Sequence, residues 1–204
     1  MITLIDKNNK LAEQKNSLSI TYPRKVNVIF GNYPYVDVVN NLLIDIKNNL
    51  IPSMEDYTYV EGQMTDWYHF IDKPNFINFI NFLINKHQTS HPFLFEYFME
   101  KTQILNAWGT QTKKGQGLKP HMHNFYHGIL YLTEGCELEL PELNIKIKPS
   151  PGDYYIFPPQ ILHGFEKHNE NSDRYSLIFN LDIRAFEFSK KISNHQKKFQ
   201  ENES

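Results

Sequence analysis

From residue 102 to residue 181 the chain is cut into short runs of β-forming residues, at 102–110, 126–132, 136–140, 143–147, 153–157, 163–166 and 174–181. Turn chemistry separates them at 113–117, Glu134-Gly135, Pro141, 149–152, Pro158-Pro159 and 169–173. Strands this short, at nearly even spacing, predict an antiparallel sandwich or small barrel.

The first half has a different texture. Residues 1–24 are polar and mixed, and Val26-Asn27-Val28-Ile29-Phe30 reads as a strand stopped by Gly31 and Pro34, so the fold is expected to begin there. Val36, Val39, Leu42, Leu43, Ile46 and Leu50 repeat with helical spacing over 35–50. Phe76, Phe79, Ile80, Leu83 and Ile84 do the same over 75–86, after Pro74. The expected class is mainly β with N-terminal helices. A length of 204 residues suits one domain. Its expected parts are a strand and supporting helices at 1–100, a β core at 101–183, and a peripheral helix and tail at 184–204.

Composition narrows the function. Hydrophobic residues make up 40% and aromatic residues 14%, enough to build a core and to exclude a disordered chain. A formal charge of −2 gives no support to nucleic-acid binding. The single cysteine, Cys136, excludes an internal disulfide and a thiolate-only metal cage. With no signal peptide or spanning run, the expectation is a soluble, cytoplasmic protein without membrane partners. Aromatics among the N-terminal elements leave a homodimer surface as a further expectation.

Histidine spacing carries the chemistry. In Pro120-His121-Met122-His123 the two imidazoles would project from one face of an extended chain and bind one metal ion together. A third, His163, opens a later strand after the Pro158-Pro159 break, which would return it to a neighbouring position in a small barrel. Three neutral nitrogens on one side of a cation leave positions open for substrates. Further on, Arg174 and Ser176 share a strand face, so a guanidinium fork and a hydroxyl can meet one carboxylate.

Together these residues resemble the Fe(II)/2-oxoglutarate-dependent oxygenase superfamily. The resemblance rests on Trp108, His121-x-His123, the run 128–132, Pro151-Gly152-Asp153 with Phe157-Pro158, His163-Gly164, and Arg174-x-Ser176 through Phe179-Asn180. It covers residues 26–182, and the order is similar to that of small oxygenases of tailed phages and marine bacteria. Gln63-Met64-Thr65-Asp66-Trp67 is similar to a segment that precedes the barrel in that group.

The resemblance implies a double-stranded β-helix, the jelly-roll barrel also found in cupins. It also implies a dioxygenase that uses ferrous iron, 2-oxoglutarate and O2. Carried over by position, His121 and His163 are metal ligands, Arg174 holds the distal carboxylate of 2-oxoglutarate, and Ser176 assists it. His123 completes the metal set where the superfamily usually places Asp or Glu, and His127 is a second choice for that place. Hydroxylation of a peptide or small molecule is the implied reaction, in the host cytoplasm if the chain is phage-encoded.

Two rival readings use the same residues. Gly115, five residues, His121-x-His123, then Gly152, five residues, Pro158 and later His163 also fit cupin spacing, which gives a three-His metal enzyme without 2-oxoglutarate. That reading leaves Arg174-x-Ser176 unexplained. The other rival is a non-catalytic β-barrel binding module with incidental histidines.

Overall fold

The computed structural model describes residues 2–5, 12–14, 17–19, 25–52, 61–87, 89 and 104–181. Four N-terminal strands come first: β1 (Ile2–Ile5), β2 (Ala12–Gln14), β3 (Ser17–Ser19) and β4 (Lys25–Asn32). Helix α1 (Val36–Asn48), the short strands β5 (Ile51–Pro52) and β6 (Gln63–Met64), and helix α2 (Pro74–His87) follow. The rest is β7 (Ile104–Thr112), β8 (Leu118–His121), β9 (Tyr126–Tyr131), β10 (Leu138–Leu140), β11 (Ile145–Ile147), β12 (Asp153–Phe157), β13 (His163–Phe165) and β14 (Arg174–Leu181).

These strands form an eight-stranded sheet, ordered β1-β4-β12-β9-β14-β7-β6-β5, a four-stranded sheet, ordered β11-β10-β13-β8, and the separate hairpin β2-β3. From β7 onward the chain passes back and forth between the two larger sheets, with only β10 and β11 consecutive in the small one. That alternation, with antiparallel pairing throughout, is the double-stranded β-helix, or jelly roll. The fold also reaches ahead of Val26, because β1 pairs with β4. The helix or tail expected at 184–204 lies outside the described residues.

Both helices cover the outer face of the large sheet. Val39, Leu42 and Ile46 of α1 and Phe76, Phe79, Ile80 and Leu83 of α2 are buried at the spacing read from the sequence. They join Ala107, Leu130, Tyr154, Ile156, Leu177 and Phe179 in one apolar cluster. Phe79 meets the rings of Phe179 and Tyr154 edge to face, each with centroids 5.9 Å apart. A second cluster lies between the sheets and includes Trp108, Ile129, Tyr131, Phe157 and Ile178 with Leu138 and Leu140 of the small sheet. Period-two alternation along β7, β9 and β14 therefore divides the side chains between a helix-facing core and a barrel interior.

The free edge of β7 is covered by 63–70. β6 pairs with Gln111 and Thr110, and beyond it Thr65 N–H donates to the Gly109 carbonyl at 3.0 Å. The Thr65 hydroxyl in turn accepts from Gly109 N–H at 3.0 Å. Ala107 N–H donates to the Trp67 carbonyl and Phe70 N–H to that of Ala107, both at 3.0 Å.

On the other side of Gly109, α1 approaches so closely that a Cβ there would lie 2.3 Å from Ile46 Cγ1. Gly109→Ala is expected to lower the stability of the fold by about 1–3 kcal/mol, read as an earlier urea midpoint with an unchanged m-value.

Candidate active site

Strand register builds the histidine cluster. His163, at the start of β13, is the cross-strand partner of His121, at the end of β8, and their ring centroids lie 4.6 Å apart. β8 ends at His121, so His123 reaches the cluster from the loop that follows rather than from a shared strand face. That loop is held by Gln160, whose N–H donates to the His123 carbonyl at 2.8 Å. Gln160 follows Pro158-Pro159 in the left-handed conformation, with φ 65°.

The ligand-capable nitrogens of His121, His123 and His163 all lie within 4.8 Å of one another. The Nε2 atoms of His121 and His123 are 3.1 Å apart. Two imidazole nitrogens bound at right angles to one ion, each about 2.1 Å from it, would be separated by about 3 Å.

Hydrogen bonds set the tautomers. His121 Nδ1–H donates to the Lys119 carbonyl at 3.0 Å, and His163 Nδ1–H to the Ile161 carbonyl at 2.9 Å. Each bond leaves the Nε2 lone pair to act as ligand, the usual arrangement of a metal-binding histidine. His163 Nε2 is buried with no protein partner.

Burial keeps these rings neutral. It pushes His163 down to about 4, helped by His121, and His123 down to about 3, helped by His121 and His163. His121 is also lowered by burial, against the opposing pull of the Lys119 carbonyl. His127, on β9, stacks on His123 with centroids 4.1 Å apart, and its Nδ1–H donates to Asn180 Oδ1 at 2.8 Å. It flanks the three converging nitrogens without belonging to the cluster.

The cluster opens into a cavity of about 330 Å³ between the sheets, within the size range of small-molecule sites. Arg174 lies at its far end, opposite Thr112. The residue is 4% exposed, and its guanidinium carbon sits 4.2 Å from the Phe165 ring centroid and 5.0 Å from that of Tyr131. Gly135 leaves room for its stem, since a Cβ there would lie 2.7 Å from Arg174 Cδ.

Among the described residues no carboxylate forms an ion pair with Arg174. Its Nε, the Ser176 hydroxyl and the Tyr131 hydroxyl are all buried without hydrogen-bond partners. Burial raises the Tyr131 pKa, and the nearby Arg174 charge only partly offsets that. A buried cation and two orphaned hydroxyls are costly unless an anion completes them.

The structure thus gathers His121, His123 and His163 at one place, with Arg174 and Ser176 in the same barrel interior. Two polar residues were not assigned to the site from the sequence. Tyr131 is in register with Ser176, and Asn106, whose Oδ1 is also an orphan, is in register with Asn180. The available signal was alternation, since Tyr131 shares a strand face with His127 and Asn106 with Trp108.

Comparison with solved structures gives the same architecture. A viral collagen prolyl hydroxylase from Paramecium bursaria Chlorella virus 1, solved as a 2-oxoglutarate complex, superposes with a TM-score of 0.57 at 16% identity over 76% of this chain and 94% of its own. A prolyl-4-hydroxylase from Pseudomonas putida gives 0.56 at 13% identity over 76% and 91%. The chain shares its fold with these two structures. HygX from Streptomyces hygroscopicus, solved with nickel and 2-oxoglutarate, shares that fold with a TM-score of 0.56 at 9% identity over 76% and 82%. No family model matches the chain, and no curated protein matches its sequence.

Within this fold the buried histidines make a pH signature. Their folded pKa values lie below the unfolded value of about 6.5, so below neutrality the unfolded chain binds more protons and folding weakens. Without metal, stability is expected to fall as the pH drops from about 7 to 4, and His163 contributes up to about 1.4 kcal/mol per pH unit. Urea midpoints at stepped pH check this, and His163→Leu should flatten the slope.

Proposed function

We propose that the chain is a ferrous-iron- and 2-oxoglutarate-dependent oxygenase that hydroxylates a peptide or small-molecule substrate. The observation that carries this reading is the sharing of one barrel interior by three neutral imidazoles and a buried arginine without a carboxylate. The solved relatives support it, because the viral hydroxylase holds 2-oxoglutarate and HygX holds nickel with 2-oxoglutarate.

His121, His123 and His163 hold the metal, and the bonds to Lys119 and Ile161 present two of those rings lone pair first. Arg174, Ser176 and Tyr131 hold the distal carboxylate of 2-oxoglutarate, which supplies the acceptor that their orphaned donors need. Iron with 2-oxoglutarate and O2 supplies oxidative decarboxylation coupled to substrate oxidation. The chain's tasks are placement and exclusion of water, to which Trp108, Ile129 and Ile178 contribute by lining the interior.

With three imidazoles in place of two and a carboxylate, the centre is one unit more positive, which strengthens its hold on a dianionic co-substrate. The same neutral donor set favours a second reading, a cupin-type enzyme that uses no 2-oxoglutarate. That alternative leaves the buried Arg174 without an anion. Among the described residues no helix is long and apolar enough to cross a membrane.

Anaerobic ferrous protein mixed with 2-oxoglutarate is expected to develop a weak visible charge-transfer band, and its absence favours the cupin reading. Succinate release is expected to stop in His121→Ala through loss of iron. Arg174→Ala should keep its iron and bind 2-oxoglutarate at least about 30-fold more weakly, the usual cost of truncating a buried charge pair.

Stability gives an independent test. Replacing buried ionic groups with well-packed apolar side chains of similar volume is often neutral or stabilising, and a charge without a counter-ion has no attraction to lose. Arg174→Met is therefore expected to melt no lower than wild type without co-substrate and to lose the rise in melting temperature that 2-oxoglutarate gives the wild type.

A further inference from the structure

The cavity has two chemically different ends. Thr112 is in register with Arg174, whereas Asn106, six residues earlier on the same strand, is in register with Asn180. At strand rise this separates the two levels by about 20 Å. Near Asn106 the lining turns aromatic, with Trp67, whose carbonyl accepts from Ala107 N–H, Trp108 and Phe125. Trp67 and Trp108 meet edge to face with centroids 4.6 Å apart. Among the described residues the lining contains no Asp, Glu or Lys, and Arg174 is its one permanently charged side chain. Asn106 Oδ1 is the exception to this apolar character, a buried acceptor with no donor.

We propose that this end is a substrate subsite for an uncharged, apolar residue of a peptide, with the side chain against the Trp67–Trp108 corner and an adjacent amide N–H donating to Asn106 Oδ1. The inference rests on the oxygenase reading for what happens to the bound residue, but not for the binding itself. Among the described lining residues a cationic side chain would find no carboxylate, and an anionic one no permanent cation except the arginine at the opposite end. A buried apolar surface with one unsatisfied acceptor selects bulk plus a single donor, because leaving the acceptor unpaired costs binding energy. A nucleobase offers a flat face and N–H groups too, but the described residues of this lining include no lysine to meet a phosphate, and the chain carries a formal charge of −2.

The test uses the protein's own fluorophores, since Trp67 and Trp108 are the chain's two tryptophans. The full chain, with and without ferrous ion under anaerobic conditions, is titrated with the capped tripeptides acetyl-Ala-Leu-Ala-amide, acetyl-Ala-Lys-Ala-amide and acetyl-Ala-Glu-Ala-amide, and with a single-stranded deoxyadenosine decamer. Emission is excited at 295 nm.

The expected result is a saturable change with the leucine peptide at least about tenfold tighter than with either charged peptide or the decamer. Asn106→Leu should weaken it about tenfold, the worth of one buried hydrogen bond. Met122 is 51% exposed at the cavity, so Met122→Glu gives a variant whose folding is not at stake. It should improve lysine-peptide binding several-fold.

Equal or tighter binding of a charged peptide or of the decamer to the wild type overturns the proposal, as does an emission unchanged by the leucine peptide. A missing charge-transfer band with leucine-peptide binding intact would sink the oxygenase reading alone. A band present with the peptide order reversed would sink only the subsite.

Discussion

β14 is hydrogen-bonded along both edges, to β7 and to β9, and all eight of its residues are buried. A strand in that position has no solvent face, so each residue must suit one of two interiors. Tyr175, Leu177, Phe179 and Leu181 belong to the helix-side core. Arg174, Ser176, Ile178 and Asn180 take the opposite face by alternation, toward the barrel interior. A slip of one residue would exchange a guanidinium for a leucine cluster, so the pairing of β14 fixes packing and chemistry together.

The polar face sacrifices stability for readiness. An arginine packed between Phe165 and Tyr131 with no counter-ion among the described residues, and a histidine nitrogen with no partner among them, are groups that a chain selected only to fold would avoid. They persist because the surrounding sheets hold them, and each is what a waiting anion or cation would need. Backbone carbonyls, rather than a carboxylate, orient two of the imidazoles, so a metal ion held there would keep its full positive charge.

Much of this was legible in the sequence because it is periodic. Apolar residues three and four apart gave α1 and α2 nearly to their ends, Pro151-Gly152 gave β12, and the Asn-, Ser- and Asp-rich turn at 169–173 gave β14. β8 was hidden because Lys119-Pro120 lacks β-forming side chains, and its pairing with β13 is long-range. β5 and β6 are two residues each, below what alternation can reveal. The histidine set was readable as spacing, although its geometry comes from a cross-strand pair and a loop rather than from one extended face. Tyr131 and Asn106 were obscure for a different reason. An aromatic or an amide in a strand is ordinarily structural, and only coordinates show that its polar atom has been left unpaired.

The segment from Gln63 to Phe70 has two duties, since it supplies Trp67 to the cavity wall and occupies the hydrogen-bonding edge of β7. An uncovered edge in a sheet of this size invites strand addition from another molecule. Remodelling the wall to admit bulkier partners would therefore carry a colloidal penalty, because each residue withdrawn from the edge exposes a template for self-association. Diversification of this scaffold should then proceed by exchanging side chains along the segment, with its backbone path conserved.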